Sequence, residues 1–433
     1  MPRPSDPQPP GCCYLVGGAV RDGLLERPCG DRDWVVVGST PEAMSRAGFT
    51  AVGRDFPVFL QPGSGEEFAL ARTERRQGRG HRGFVVDAHP AVTLEEDLIR
   101  RDLTINAMAR DVDGRLIDPH GGQVDLEQRW LRHVSPAFRE DPLRILRVAR
   151  FAAQLGDYGF RLHPDTAALL RDMVAAGLLD ELPAERIWNE VSRALLSDHP
   201  QRFFECLRSI GALAALLPEL DRQFGVPQTA RYHPEIDAGI HNLLCLAATA
   251  RAGDSLPVRF AVLCHDFGKG ITPAHILPSH HGHERAGLPL VRDVCARWNV
   301  PRACRELALA VCEWHLHAHR ASELRPTTLL RVLEALDAFR RPQRLEDFLA
   351  ACTADARGRT GFADSDYPQA DMYRRCLTAA QDVPTAAIAA EATTPQDIPQ
   401  RIRAARAAAI GEMLRTVAAP TPPAATPSLL PAP

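Results

Sequence analysis

The spacing of apolar residues changes once along the chain, near residue 136, and this change limits the folds that the chain can adopt. Before it, short apolar runs typical of β-strands alternate with glycine and aspartate; these runs are 14–16, 34–37, 58–60, 68–71 and 84–87. After it, leucine and alanine recur every three or four residues as far as residue 217, as in amphipathic helices. A loop at 224–234 precedes a second helical region at 239–349. The pattern predicts an α+β protein with its sheet in the N-terminal third.

Length and composition exclude several classes of protein. A chain of 433 residues exceeds one ordinary domain and predicts two to four folding units. Its 45% hydrophobic and 24% charged residues are ordinary globular values. No apolar run approaches the ~20 residues that span a bilayer, and the Pro-rich N-terminus lacks a signal-peptide stretch. We therefore expect a cytoplasmic protein that does not associate with membranes. The eleven cysteines form no CxxC pair, so reduced and mostly buried thiols are expected.

The basic residues are almost all arginine. The net charge of −3 does not indicate a nucleic-acid binder by itself. The single lysine, Lys269, is followed by Gly270, so a P-loop motif, which needs serine or threonine there, is absent. Guanidinium groups suit phosphate and base recognition, so local arginine clusters carry more information than the overall charge.

The first candidate motif is a Gly-Gly turn between a strand and a helix, at residues 15–22. Backbone N–H groups at such a turn can approach a phosphate closely, and Arg21 would lie one turn into the helix to pair with it. Gly18 and Arg21 are therefore candidate phosphate contacts. The alternative is a turn that serves only to pack the helix against the strand.

A pair of acidic residues, Asp31 and Asp33, leads into the apolar run 34–37. Residues i and i+2 of a strand share a face, so the two carboxylates would project side by side and repel each other unless a cation lies between them. Oxygen-rich sites that keep water and substrate phosphates suit Mg²⁺, which can assist an in-line displacement at phosphorus. The alternative is a solvated turn before a buried strand.

Further polar residues stand at the start of the apolar stretch 103–108. Arg101 and Asp102 come directly before apolar residues that are expected to be buried, so their charges lie at the edge of a packed element. This position favours phosphate contact by Arg101 and a role for Asp102 as a third acidic residue of the site. A plain surface ion pair is the alternative.

The fourth motif is a stripe of charged residues at the start of a helix. Asp141 precedes Pro142, which suits a first helical turn, and arginines follow at every third position: Arg144, Arg147 and Arg150. Asp141 could accept a hydrogen bond from the amino group of cytosine or adenine while Arg144 donates to the adjacent ring nitrogen, a pattern that guanine and uracil reverse. The alternative is a solvated arginine face.

These four motifs, in this order and spacing, resemble the class II tRNA nucleotidyltransferase family of CCA-adding enzymes, which share a DNA polymerase β-like catalytic domain with bacterial poly(A) polymerases. The resemblance covers nearly the whole chain. It implies a head with a small mixed sheet, Mg²⁺ ligation by Asp31 and Asp33, and nucleotide contacts by Gly18, Arg21 and Arg101. It assigns base selection to Asp141 and Arg144, with Arg147 and Arg150 also lining the nucleotide site. The implied substrates are tRNA, CTP and ATP.

Ten of the sixteen histidines lie between residues 233 and 319. Adjacent His265 and Asp266 can bind one metal ion, and His241 and His283 could complete a mixed N/O ligand set. Asp355 is a weaker candidate ligand and His315 a candidate functional histidine, whereas His317 and His319 are expected at the surface. A single buried histidine is more often structural, but ten so close together favour a metal site.

The histidine cluster resembles the HD phosphohydrolase family, with its HDxGK motif at 265–269. The resemblance implies a divalent transition metal such as Ni²⁺, and phosphatase, 2′-nucleotidase and 2′,3′-cyclic phosphodiesterase activities. Hydrolysis of a blocked tRNA end would expose the 3′-hydroxyl that nucleotide addition needs.

The implied organisation has four folded parts between two disordered ends, in a monomer or a homodimer. The folded parts are a nucleotidyltransferase head at 12–135, a helical neck at 136–225, an HD domain at 226–350 and a helical tail at 351–417. The disordered ends are an extension at 1–11 and a Pro/Ala tail at 418–433. One alternative is a poly(A) polymerase or a partial CC- or A-adding enzyme. Two others are an HD phosphohydrolase whose head only senses nucleotides, and a non-catalytic RNA-binding protein.

Overall fold

The computed structural model of the chain describes residues 7–28, 30–52, 58–76, 84–392 and 394–418. Most of the two predicted disordered ends, residues 1–6 and 419–433, lies outside these ranges. The chain divides into two compact units: Met1–Phe224 with Val294–Val300, and Gly225–Asp293 with Pro301–Pro433.

All described strands lie in the first unit. They are β1 (Cys12–Val16), β2 (Asp33–Val37), β3 (Thr50–Ala51), β4 (Val58–Leu60), β5 (Glu67–Leu70), β6 (Thr73–Arg76), β7 (Phe84–Asp87), β8 (Ala109–Arg110), β9 (Leu116–Ile117), β10 (Trp130–Leu131) and β11 (Arg161–Leu162). Among the described residues, seven strands form one sheet in the order β3-β4-β5-β2-β1-β8-β9, while β6 pairs with β7 and β10 with β11. The large sheet is mixed, because β2 pairs with β5 in parallel and with β1 antiparallel.

Alternate residues of β2 point into different cores, one on each side of the sheet. Val35 packs with Val16 and Leu98 in the first core. Trp34 and Phe68 belong to the second core, where their rings stack with centroids 5.7 Å apart. Residues directly opposite each other on β2 and β5 therefore share a face.

Ten α-helices are described between residues 7 and 224. They are α1 (Gly18–Leu24), α2 (Pro41–Arg46), α3 (Leu94–Ile99), α4 (Gly122–Gln128), α5 (Leu143–Gln154), α6 (Pro164–Ala175), α7 (Ala184–Leu195), α8 (Pro200–Ser209), α9 (Ala212–Leu216) and α10 (Pro218–Asp221). Helix α5 packs against α7 and α8 and buries Ile145, Leu146 and Val148. The stripe of charged side chains on α5 is thereby held in a fixed direction.

The described chain from residue 225 onward is helical. Its helices are α11 (Ala238–Arg251), α12 (Leu256–Cys264), α13 (His283–Arg297), α14 (Arg302–His319), α15 (Pro326–Ala335), α16 (Pro342–Arg357), α17 (Pro368–Gln381), α18 (Thr385–Ala390) and α19 (Ile398–Ala418). Helix α12 packs against α11, α14 and α16, and its last residues Leu263 and Cys264 are fully buried. The HDxGK motif therefore begins at the end of the central helix of this unit.

The predicted α+β class is confirmed, with a small mixed sheet followed by helices. Seven of the ten described cysteines are buried, as expected. No helix in the described ranges is long and apolar enough to span a bilayer.

Candidate active sites

Two carboxylates stand side by side at the start of neighbouring strands in the first unit. Asp33 begins β2 and is paired in register with Glu67, the first residue of β5. Because opposite residues on these strands share a face, both side chains lie on the same face of the sheet as Val35. Asp31 lies two residues before β2, in the preceding loop. Because β2 begins at Asp33, Asp31 lies outside the strand, and strand alternation does not fix the direction of its side chain.

The charge of Asp31 nevertheless acts on Asp33. Although the side chain of Asp33 reaches solvent, the surrounding protein removes part of its hydration and raises the pKa of its carboxyl above the ordinary value. The Asp31 carboxylate adds to this rise, and Arg101 opposes it. Asp33 and Glu67 lie in register, and Asp31 and Arg101 act electrostatically on Asp33. Carboxylate oxygens are donors of the kind that Mg²⁺ prefers.

The Gly-Gly turn brings the first helix close to Arg101. Gly17 has φ 70°, which favours glycine, and a Cβ atom there would lie 2.9 Å from Nη1 of Arg101. Arg21, on α1, is buried; its Nη1 donates to Oδ1 of Asn106 at 2.7 Å and its Nε donates to Asp22 at 2.9 Å.

Arg101 is held from behind by a fully buried carboxylate, Asp97. Nη2 of Arg101 lies 3.1 Å from Asp97, and Nη2 of Arg100 lies 2.6 Å from it. Burial raises the pKa of the Asp97 carboxyl, but Arg101 and Arg100 outweigh burial and hold that pKa below its ordinary value. Asp97 therefore stays ionised and orients both arginines.

Asp102 is buried rather than part of a surface ion pair. Arg147 donates to it from Nε at 2.8 Å, Asn106 donates at 2.9 Å, and the Leu103 N–H donates at 2.8 Å. Burial raises the pKa of Asp102, but Arg147 and these hydrogen bonds lower it well below its usual range. Because its oxygens accept these hydrogen bonds, Asp102 is better suited to orient Arg147 than to serve as a third metal ligand.

Three guanidinium groups surround the ring of Phe151. Those of Arg150, Arg21 and Arg147 lie 4.4, 5.3 and 5.7 Å from the ring centroid. Glu190, buried on α7, accepts a hydrogen bond from Arg150 at 2.6 Å. Positive charge is thus concentrated at one place and fixed by acidic residues behind it, which suits an anionic ligand.

Asp141 and Arg144 lie at the start of α5, as predicted. Asp141 accepts from the Leu143 N–H at 3.0 Å and pairs with Arg186 of α7, whose Nη2 lies 2.9 Å from Oδ2. Arg144 donates to the carbonyl oxygens of Ala137, at 3.1 Å, and of Arg100. About a fifth of the Asp141 side chain stays exposed (20%), so its carboxylate can still meet a ligand.

A cleft of about 610 Å³ brings nine of the predicted residues together. They are Gly18, Arg21, Asp33, Arg101, Asp102, Asp141, Arg144, Arg147 and Arg150. Asp31 does not line the cleft and acts from the loop beside it. Two further residues that no motif indicated, Glu67 and Arg186, also line it. The position of Glu67 at the start of an apolar strand could have indicated that it belongs to the site. No feature of the sequence indicated Arg186.

In the second unit, a first group of side chains that could hold a metal ion, called a metal-binding group below, surrounds Asp355. Nε2 of His241 lies 3.0 Å from Oδ1 of Asp355, and Nε2 of His265 lies 3.8 Å from the same oxygen. Cys245 completes this buried group. On the other side of the His241 ring, Nδ1 lies 2.8 Å from Glu235, an arrangement that orients metal-binding histidines in many sites.

A second group adjoins the first through the HD pair. Asp266 lies 3.1 Å from Nε2 of His265, 3.2 Å from His283 and 3.6 Å from His315. Lys269 lies 2.5 Å from Asp266. Every predicted residue of the histidine cluster, including the weaker candidates, is therefore found in one of these two groups.

Glycine at position 268 allows the second group to form. A Cβ atom on Gly268 would lie 2.0 Å from the carbonyl oxygen of His283 and 2.8 Å from the Gly287 nitrogen. The HDxGK turn can therefore contact the first turn of α13 only with glycine there, and this contact brings His283 to Asp266.

The electrostatics of this cluster favour a cation. Burial lowers the pKa of His265, but Asp266 and Asp355 outweigh burial and raise it to about 9. Nε2 of His265 and both oxygens of Asp266 are buried, and the Asp266 carboxylate faces Lys269 and the rings of His265 and His283. A mixed set of imidazole and carboxylate donors suits a divalent transition metal. The donor set thus fits the expected metal.

His319 contradicts the expectation of a surface position. Its Nε2 lies 2.7 Å from Oδ2 of Asp355, and its Nδ1 lies 3.0 Å from the Tyr367 hydroxyl. His317 is also partly buried, against Trp314. His315 and His319 are four residues apart on α14 and so share a face, a signal in the sequence that pointed to the site.

Comparisons with known proteins agree with these two centres. The family described as "Poly A polymerase head domain" matches residues 13–132, "Probable RNA and SrmB- binding site of polymerase A" matches 159–224, and "HD domain" matches 239–341. The multifunctional CCA protein of Thioalkalivibrio sulfidiphilus is 61% identical over 368 residues, which cover 84% of this chain and 90% of that protein.

The chain belongs to the multifunctional CCA protein family.

This membership confirms the family that the motifs predicted. Another multifunctional CCA protein, from Halorhodospira halophila, is 56% identical over 402 residues, covering 93% of this chain and 97% of that protein. The fold resembles that of the Bacillus stearothermophilus CCA-adding enzyme in complex with CTP, with 24% identity, a TM-score of 0.62 and 94% of each chain covered. It also resembles the Thermotoga maritima CCA-adding enzyme complexed with tRNA_CCA, with 17% identity, a TM-score of 0.59 and coverage of 94% and 91%.

Proposed function

We propose that this chain adds C, C and A to the 3′ ends of tRNA from CTP and ATP, without a nucleic-acid template. The observation that carries the proposal is the single cleft in the first unit, where carboxylates and anchored arginines meet the Asp141–Arg144 pair. Relatives named for CCA addition, and similar folds solved with CTP and tRNA, support the same activity.

The carboxylates at the strand ends would hold Mg²⁺ in this activity. Asp31 and Asp33 are the proposed ligands, and Glu67 offers a third carboxylate in register with Asp33. Bound Mg²⁺ would neutralise phosphate charge and favour ionisation of the attacking 3′-hydroxyl. The anchored guanidiniums of Arg21 and Arg101 would bind the triphosphate, with Gly18 allowing its close approach, while Asp97 and Asp22 keep these arginines in place.

Base selection is proposed for Asp141 and Arg144. Arg186 fixes the carboxylate of Asp141 without covering it, so the carboxylate can accept from the amino group of cytosine or adenine. Arg144 would donate to the adjacent ring nitrogen, and this hydrogen bond would replace its present one to the Ala137 carbonyl oxygen. Arg147 and Arg150, held by Asp102 and Glu190, complete the wall.

A direct test uses tRNA that lacks its terminal CCA. Purified protein with Mg²⁺ should add three nucleotides when CTP and ATP are both present, and should stop at two with CTP alone, as resolved by single-nucleotide gel electrophoresis. A long adenylate ladder would indicate a poly(A) polymerase instead. The absence of any extension by folded, Mg²⁺-supplied protein would overturn the proposal.

Removing the Asp141 carboxylate should weaken base selection more than it slows addition. In Asp141→Ala, the preference for CTP over UTP, and for ATP over GTP, is expected to fall by about 10- to 100-fold, because one hydrogen-bonding pair to the base is lost. Ratios of kcat/KM for the four nucleotides measure this directly. Asp172→Ala, an exposed carboxylate on α6, serves as the control. Unchanged discrimination against UTP and GTP would exclude the proposed role.

The histidine cluster supports a second proposed activity, hydrolysis of terminal phosphates. His241, His265, Asp266 and Asp355 would hold a divalent transition metal, for which Ni²⁺ is the candidate, and such a metal can activate water for attack on a phosphoester. Phosphatase, 2′-nucleotidase and 2′,3′-cyclic phosphodiesterase reactions would each act on a blocked RNA end. The adjoining cavity, about 840 Å³, is large enough for a nucleotide and includes His283, His315 and Lys269 in its wall.

The finer organisation is proposed on the same basis. The head at 12–135 would carry the transferase carboxylates, and the neck at 136–225 base recognition. The HD domain at 226–350 would carry out hydrolysis, with Asp355 of the tail as one metal ligand. The rest of the tail at 351–417 would contact tRNA further through phosphates and shape. A monomer that can pair into homodimers is the proposed assembly.

A further inference from the structure

The carboxylate of Asp355 is held by different partners at its two oxygens. Oδ1 lies 3.0 Å from Nε2 of His241 and 3.8 Å from Nε2 of His265, on the side of the metal-binding group. Oδ2 lies 2.7 Å from Nε2 of His319. One oxygen thus remains directed towards the metal-binding group while a separate side chain restrains the other.

His319 is in turn held by residues near the start of α17. The Tyr367 hydroxyl lies 3.0 Å from Nδ1 of His319, and the Gln369 side-chain amide donates to the His319 carbonyl oxygen at 3.2 Å. A carboxylate only accepts hydrogen bonds, so Nε2 of His319 must carry the proton shared with Asp355. Nδ1 of the neutral ring accepts the proton of the Tyr367 hydroxyl, whereas Nδ1 of the charged ring donates to the hydroxyl oxygen. In either form, hydrogen bonds join Tyr367, His319 and Asp355 in one chain.

Both ends of this chain lie beyond the matched HD segment, which ends at residue 341. Asp355 is on α16, and Tyr367 immediately precedes α17. Residues of the helical tail therefore reach the histidine cluster: Asp355 contacts His241 directly, and Tyr367 reaches the cluster through His319.

We propose that His319 and Tyr367 are positioning residues, which fix the Asp355 carboxylate in the orientation that binds the divalent metal. This inference rests on the metal site proposed above for the HD motif. Without the restraint, the carboxylate would gain rotational freedom that metal binding must then remove, and this cost weakens affinity. Hydrogen-bonding partners of metal ligands act in this way in other metal sites, and their loss costs about 10- to 100-fold in affinity.

The test measures metal affinity in the full-length, metal-free protein, by competition between the protein and a chelator for Ni²⁺. His319→Ala should weaken Ni²⁺ binding by about 10- to 100-fold. His319→Gln should restore most of this loss, because its amide N–H can replace the Nε2 donor. Tyr367→Phe removes one hydroxyl and should weaken binding by about 3- to 10-fold, the effect of one hydrogen bond.

Tyr373→Phe is the matched control. Tyr373 lies on α17, and its hydroxyl donates to the His317 carbonyl oxygen at 3.4 Å rather than to the Asp355 network. Its Ni²⁺ affinity should equal that of the wild type. Thermal unfolding of each metal-free variant separates folding from metal binding; if His319→Ala does not fold, Tyr367→Phe decides the question.

The outcomes separate this inference from the proposal beneath it. If Ni²⁺ binds the wild type and not Asp266→Ala, but His319→Ala and Tyr367→Phe bind as tightly as the wild type, the positioning role is overturned and the metal site stands. If the wild type does not bind Ni²⁺, or if Asp266→Ala binds Ni²⁺ as tightly as the wild type, the proposed metal site is excluded. The positioning role is then excluded with it. Weaker binding in both positioning variants, with rescue by glutamine, supports the proposal.

Discussion

Replacing Asp33 with asparagine is expected to abolish nucleotide addition while hydrolysis of 2′,3′-cyclic AMP stays at the wild-type level. The amide has nearly the same size as the carboxylate but lacks its charge, so the proposed Mg²⁺ site at Asp31 and Asp33 would lose one of its two charged ligands. A catalytic metal contributes several kcal/mol to a phosphoryl-transfer step, which corresponds to a rate loss on the order of 10³-fold or more. Single-turnover incorporation of CTP into tRNA lacking CCA measures this loss.

Two comparisons make this result specific. Asp113→Asn changes an exposed acidic residue in the turn between β8 and β9 and should leave both activities intact. Addition by Asp33→Asn at a rate close to that of the wild type would contradict the role of the carboxylate pair. Loss of both activities in folded Asp33→Asn protein would contradict two separate active sites.

The opposite separation is expected for His265→Ala, which should lose hydrolysis and keep nucleotide addition. His265 lies between both metal-binding groups, 3.1 Å from Asp266 and 3.8 Å from Asp355. Its removal would delete a nitrogen ligand of the proposed metal site, while Asp266 keeps Lys269 and Asp355 keeps His319 as partners. Hydrolysis of 2′,3′-cyclic AMP should fall on the order of 10³-fold, because the activated water is lost with the metal.

His275→Ala is the control for this variant, since His275 is an exposed histidine in the segment after the HDxGK motif. Bound metal should also fall in His265→Ala, as measured by elemental analysis of the purified protein. Folded His265→Ala that still hydrolyses the cyclic nucleotide would refute the assignment of the metal site.

Local patterns predicted the parts of the fold that depend on neighbouring residues. The run 58–60 corresponds to β4, and the run 84–87 to β7, because β-branched and aromatic residues in short runs favour strands. Strands β8 to β11 have only two residues each, too few to show an alternating pattern, so they were not predicted.

Partners that are distant in sequence account for most of what the motifs missed. Glu67 stands beside Asp33 because β2 and β5 pair in parallel with one particular register, and nothing within either strand specifies that register. Arg186 and Glu190 likewise reach the charged stripe of α5 only through the packing of α7 against it. The three-residue spacing predicted the stripe itself, but it did not predict the acidic and basic side chains that pair with it.

The single lysine of the chain has an experimental consequence. Lys269 is buried and lies within 2.5 Å of both Asp266 and Gln228, so a protease that cuts only after lysine has one target, enclosed in the histidine cluster. Cleavage under native conditions requires local opening of that cluster, and its rate reports the free energy of opening. A ligand that binds the closed form should slow the cut in proportion to its affinity. The intact chain thus carries its own probe of ligand binding at this centre, without any introduced label.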